Sequence, residues 1–149
     1  MQKHNRAIIK ILCVIIAAFM YPGLIASGAL GRGELRSLTA KDGLSDLLVN
    51  VIYKDSTGYV WFGTESGLDR FDGNRIKSFK LDSDSRNVSR RINAITSGSN
   101  GSIFVGSNIG LFELLSGSSS LVRIHKDKLN GAVSSLVDDG KGKLYIGTN

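Results

Sequence analysis

Three near-copies of one strand–turn–strand unit, no helical period within any copy, and 18 glycines against a single proline in 149 residues predict an all-β chain. The specific expectation is a partial β-propeller of about three four-stranded blades, the last incomplete, preceded by a signal peptide. Internal repetition at roughly 40 to 50 residues with four strands per copy is the signature of propeller blades. Here Gly63, Gly106 and Gly147 mark the repeat, 43 and then 41 residues apart.

The N-terminus reads as an export segment. Lys3, Arg6 and Lys10 precede an uncharged run from Ile11 to Tyr21, a Pro22-Gly23 break, and small residues from Ala26 to Ala29, which is the layout of a secretory signal. Cleavage near Ala29 assigns residues 1–28 to the signal peptide. The competing reading is an uncleaved membrane anchor, although the apolar stretch is short for the ~20 residues of a span. Either reading places the remainder outside the cytoplasm, and any membrane contact is confined to residues 1–28. Cys13, the lone cysteine, lies inside this segment, so the exported part has neither disulfide nor thiol chemistry. Residues 29–37 form a leader into the first repeat.

The first repeat, residues 38–80, holds four short strands. Val49 to Tyr53 alternates, Tyr59 to Thr64 is aromatic and β-branched, and Asp55 to Gly58 is a turn between them. Ser66-Gly67 turns the chain into Leu68 to Phe71, and Asp72-Gly73 is a two-residue hairpin signal before Ile76 to Phe79. The second repeat, 81–124, restates this as Ile92-Asn93-Ala94-Ile95, Gly101, Ile103 to Ser107 and Gly110-Leu111. The partial third, 125–149, restates it as Val133-Ser134-Ser135-Leu136, Gly142 and Leu144 to Thr148. Trp61, Phe104 and Tyr145 occupy one place in the repeat and are expected to fill the gaps between successive blades. Gly63, Gly106 and Gly147 fall inside strands, where glycine weakens the strand unless another backbone comes close.

Closed propellers use roughly four to eight blades. Burying one aromatic of ~150–250 Å² contributes at most roughly 4 to 6 kcal/mol at ~25 cal/mol/Å², so each open blade face forfeits much of the ~5–15 kcal/mol stability of a domain. The expectation is that the chain is a piece of a longer propeller protein or a truncated reading frame, completed by further blades or by self-association.

Asp42-Gly43-Leu44, Val51-Ile52, Asp55-Ser-Thr-Gly-Tyr-Val-Trp-Phe-Gly-Thr-Glu-Ser-Gly-Leu68 and Arg70-Phe-Asp-Gly73 closely resemble the two-component regulator propeller repeat. The second copy drifts, with Ser97-Gly98-Ser99-Asn100 in place of Lys54-Asp55-Ser56-Thr57 and Glu113-Leu114-Leu115 in place of Arg70-Phe71-Asp72. The resemblance covers residues 38–149. It implies the periplasmic sensor region of a hybrid histidine kinase of the Bacteroides type, in which such an ectodomain precedes a β-sandwich, one membrane span, a kinase and often a response regulator. Oligosaccharides from polysaccharide breakdown are the common ligands of that family. No kinase segment is present here, so the chain itself is not expected to be an enzyme.

Residues for other chemistry are sparse. The formal charge of +6 shrinks once the N-terminal cations are set aside, leaving 16 basic against 13 acidic residues, and Arg90-Arg91 is the only adjacent basic pair after them; no nucleic-acid footprint results. His125 with Asp127 and a serine could be drawn as a triad, but a solvated loop histidine is the plainer reading. Zinc lacks ligands. Asp82-Ser83-Asp84 lacks the glycine and distal glutamate of a calcium loop and reads as a polar connector. Gly140-Lys141-Gly142-Lys143 lacks the Ser or Thr of a phosphate loop and reads as a hairpin turn. Asn87-Val88-Ser89 matches a glycosylation pattern of little meaning in a bacterial chain, and Ser116 to Ser120 is a polar loop. Asp55, Asp69 and Asp72 are ligand-contact candidates, with turn aspartates that bond their own backbone as the simpler account.

The function expected is thus part of the ligand-sensing propeller of a hybrid two-component sensor, with no catalytic, cofactor-binding or metal-binding residue assigned and the ligand site unknown. A secreted propeller enzyme such as a lyase, or a non-catalytic secreted scaffold, are the competing readings. The lyase would need histidine and carboxylate clusters that these repeats lack.

Overall fold

The computed structural model describes residues 35–79, 81 and 90–148. Residues 1–28, read from the sequence as a signal peptide and containing Cys13, lie outside these residues, as do Asp82-Ser83-Asp84 and Asn87-Val88-Ser89. Residues 37–149 form one compact unit.

After a 3₁₀ turn at Ala40–Asp42, ten strands follow: β1 (Val49–Lys54), β2 (Val60–Thr64), β3 (Leu68–Phe71), β4 (Ile76–Phe79), β5 (Ile92–Ser97), β6 (Ile103–Ser107), β7 (Gly110–Leu114), β8 (Val122–Ile124), β9 (Val133–Asp138) and β10 (Leu144–Thr148). They build two antiparallel four-stranded sheets, β1-β2-β3-β4 and β5-β6-β7-β8, and a β9-β10 pair. These are the blades the repeat predicts. The first strands lie side by side, β1 against β5 and β5 against β9, which sets them on the inner, axial edge.

The turns follow from their residues. Asp55 N–H donates to Tyr59 O at 3.0 Å, and the same reach recurs from Gly98 to Ser102 at 2.9 Å and from Asp139 to Lys143 at 3.1 Å. Gly58, Gly101 and Gly142 take φ of +98°, +77° and +88° in these turns, a region that penalises any residue with a Cβ. Gly140 to Lys143 is indeed a hairpin turn. The β3-β4 turn is displaced by one residue from expectation: Asp72 N–H donates to Arg75 O at 3.2 Å, so Gly73-Asn74 form the loop. The Asp72 carboxylate decides this by accepting from Asn74 N at 2.8 Å and Arg75 N at 2.7 Å, an Asx turn that begins at the aspartate.

The core lies between blades. Trp61, Leu68 and Phe79 of blade 1 meet Ile95, Ile103, Phe112 and Leu114 of blade 2, with Tyr53 and Tyr59 packed at the margin. Each such side chain contributes roughly 1.5–3 kcal/mol when fully removed from water. A smaller cluster of Ala94, Leu111, Val133 and Leu136 joins blades 2 and 3, with Phe104 partly buried against it. Trp61 and Phe104 therefore do fill inter-blade gaps. Tyr145 does not: it is 60% exposed, because no sheet of the described residues lies over its face.

The strand glycines have a partner other than the one expected. A Cβ on Gly63 would stand 2.5 Å from Ile92 Cγ2 of the next blade and from Val51 Cγ1 of its own. One on Gly106 would stand 2.6 Å from Val133 Cγ1. What comes close is mainly a β-branched side chain, not backbone. Ile92 and Val133, each the first residue of an inner strand, seat themselves over the glycine of the preceding blade.

Candidate functional site

Inner strands that pair without interruption would present alternate residues to either face. They do not. Val49 pairs with Thr64 and Val51 with Gly63, leaving Asn50 as an extra residue. Ile92 pairs with Ser107 and Ala94 with Gly106, leaving Asn93. Val133 pairs with Thr148 and Ser135 with Gly147, leaving Ser134. A bulge at the second residue of the inner strand thus recurs in all three blades, and bulges re-aim side chains.

Asn50, Asn93 and Ser134 line one cavity of about 430 Å³ together with Arg91, Asn108 and Ala132. Its hydrogen bonds run around the wall. Asn50 Nδ2 donates to Glu65 Oε1 at 3.2 Å, and Arg91 Nε stands 3.4 Å from the same oxygen in a half-exposed ion pair worth about 0–1 kcal/mol. Asn93 Nδ2 donates to Val133 O at 3.0 Å, and Ser134 Oγ to Gly147 O at 3.2 Å. Asn108 N–H donates to Arg91 O at 3.1 Å, while Asn108 Oδ1 is buried without a partner. With two amide nitrogens spent on the protein, the wall offers carboxamide oxygens, a guanidinium and a hydroxyl. Such a wall can both donate and accept hydrogen bonds, and its lining residues include no imidazole, thiol or carboxylate.

The sequence candidates separate clearly. Asp55 Oδ1 accepts from Thr57 N, Thr57 Oγ1 and Tyr59 N at 2.9, 2.7 and 3.0 Å, and Oδ2 from Trp61 Nε1 at 2.8 Å. Burial pushes its carboxyl up, but the bonds from Trp61, Thr57 and Tyr59 outweigh this and hold it below the usual range. Bonds from Arg75 and Asn74 likewise lower Asp72. Asp69 is not a turn aspartate at all. It is fully buried on β3, and Oδ2 accepts from Ser45 N at 2.9 Å and Ser45 Oγ at 2.7 Å, tying the segment before β1 to the sheet. Ser45 Oγ also meets Thr64 Oγ1 at 3.0 Å. His125 is exposed after β8 at φ 53°, and its carbonyl accepts from Lys128 and Leu129 N–H; among the described residues no hydrogen bond joins its ring to Asp127 or a serine. Among the described residues no cluster of three or more His, Cys, Asp or Glu could hold a metal ion.

Residues 43–66, from the Gly43 turn through β2 and including Asn50 of the cavity wall, match the family model described as Two component regulator propeller. Residues 43–66 are thus similar to a two-component regulator propeller repeat. A 72-residue stretch spanning 48% of the chain is 35% identical to Histidine kinase P4 of Formosa agariphila, of which it covers 5%. In fold, the propeller repeats resemble the extracellular domain of BT3049 from B. thetaiotaomicron, described as a hybrid two component system, with a TM-score of 0.63 and 24% identity over 76% of this chain and 16% of that one. They also resemble the extracellular domain of BT4673 from the same organism, with a TM-score of 0.66 and 22% identity over 77% and 16%. The chain thus spans a small part of each of these proteins.

Proposed function

We propose that these blades belong to the extracytoplasmic ligand-sensing propeller of a hybrid two-component histidine kinase, and that the ligand is an oligosaccharide. The observation that carries the reading is that the family match at residues 43–66 includes Asn50 of the polar wall and Glu65, which holds the Asn50 amide. A wall of carboxamides, one hydroxyl and the Arg91 guanidinium suits a sugar, whose hydroxyls both donate and accept. Ligand bound across three inner strands acts on the angles between blades, and a dimeric sensor transmits such a change across the membrane to bias the kinase. A secreted enzyme is less well supported, since the wall holds no pair of acid and base groups.

The test has two arms on the full chain. Alkaline phosphatase joined after Asn149 is expected to be active in a bacterial host; activity confined to a fusion given a foreign signal would overturn export. Calorimetric titration with a panel of neutral oligosaccharides is expected to show saturable binding that weakens about tenfold in Asn50→Ala, the loss of one or two hydrogen bonds. Binding by none of the panel, or binding indifferent to Asn50, would overturn the oligosaccharide site.

A further inference from the structure

A second cavity of about 590 Å³ lies at the opposite end of the blades, between blade 1 and blade 2. It is floored by Tyr59 and Trp61 of β2 and its neighbour turn, walled by Ile103 and Leu114 of blade 2, and rimmed by Arg70 and Lys77. Trp61, Arg70 and Lys77 are direct cross-strand neighbours, so the two cations share one face with the tryptophan.

The cations are held by aromatic rings, and among the described residues neither has an ion-pair partner. Arg70 Cζ lies 4.2 Å from the Tyr59 ring centre, 5.7 Å from that of Trp61 and 5.8 Å from that of Phe79; Lys77 Nζ lies 4.9 Å from that of Phe79. Aromatic faces fix a guanidinium's plane without using its N–H donors. Arg70 Nε is buried with no hydrogen-bond partner, which leaves a desolvated donor on a residue that lines the groove. The ion pair found among the described residues is Arg91–Glu65, remote from this groove. Asp55 does line it, but both carboxylate oxygens are already engaged by Thr57, Tyr59 and Trp61. Two cations against one saturated carboxylate leave the groove positive, over an aromatic floor and beside apolar side chains.

We infer that this inter-blade groove binds an organic oxyanion, a carboxylate or sulfate whose charge sits between Arg70 and Lys77 and whose body lies against Tyr59 and Leu114. Guanidinium geometry matches the two oxygens of such a group, and the volume falls in the ~300–1,000 Å³ of ligand pockets. The site shares no residue with the amide-lined cavity, so it stands or falls separately from sugar recognition there.

Trp61, the sole tryptophan, reports on the groove. The full chain is titrated with sodium glucuronate, sodium sulfate and, as the uncharged counterpart, glucose, at ionic strength held constant with sodium chloride. A saturable change in Trp61 fluorescence is expected with glucuronate and sulfate and not with glucose. The affinity should fall about tenfold in Lys77→Gln, which alters an exposed side chain, fall further in Arg70→Gln, and stay unchanged in Asn50→Ala. A linear response, an equal response to glucose, or saturation that survives Lys77→Gln at wild-type affinity would overturn the assignment.

Discussion

The junction between blades 1 and 2 and the junction between blades 2 and 3 are built from the same repeat positions and differ in how much sheet covers them. At the first, four strands of blade 2 face four strands of blade 1, and Trp61 is 3% exposed. At the second, only β9 and β10 face blade 2, and Phe104 is partly buried. Tyr145, one blade further on, is 60% exposed. Burial of the aromatic is therefore a property of the pair of blades and not of the residue's place in the repeat.

The sharpest way to break this comparison is to truncate the aromatics in turn. Trp61→Ala should cost about 3–5 kcal/mol by the transfer and cavity terms for a buried aromatic, whereas Tyr145→Ala should stay within about 0.5 kcal/mol, as for an exposed position. Urea unfolding followed by circular dichroism measures both; equal losses would show that the junctions are not distinct. Gly63→Ala comes next. Its Cβ would press on Ile92 and Val51 at 2.5 Å, an overpacking that costs about 1–3 kcal/mol. Ile92→Ala in the same chain removes the Cγ2 that the added Cβ would meet, so the double variant should lose less than the sum of the two single losses if the clash is the cause.

The smallest effect sharpens the contrast between the turns. Asp55 closes the blade 1 turn with its carboxylate, whereas Gly98 stands at that place in blade 2. The folded-state pKa of Asp55 lies below its ordinary value, so the folded chain binds fewer protons there. The stability it contributes is present above the unfolded value of about 3.9 and disappears as pH falls through the folded value. Asp55→Asn should make unfolding less sensitive to acid below about pH 4, and an unchanged acid limb in urea unfolding would remove Asp55 as a contributor.

The repeat was legible because every copy states it with the same residue types: a glycine in the turn, an aromatic in the second strand, a glycine two residues later. The site was not. Asn50, Asn93 and Ser134 sit in runs that read as ordinary alternating strands, and an unpaired residue leaves no trace in composition. The clue was the quartet itself, since Val49-Asn50-Val51-Ile52 places apolar residues next to each other where strict alternation would not. Arg70 and Lys77 meet only through the β3-β4 pairing, and Asp69 looks like any turn aspartate until Ser45 is found against it. In each case the information lay in a contact between segments, which no single stretch carries.

Ile92 presses on Gly63, and the next residue along the chain, Asn93, lines the polar cavity; Val133 and Ser134 repeat the arrangement over Gly106. Peg and wall are consecutive residues of one strand. A blade that tilts about its peg carries the adjoining wall with it, so the width of the cavity and the pitch between blades are a single mechanical coordinate.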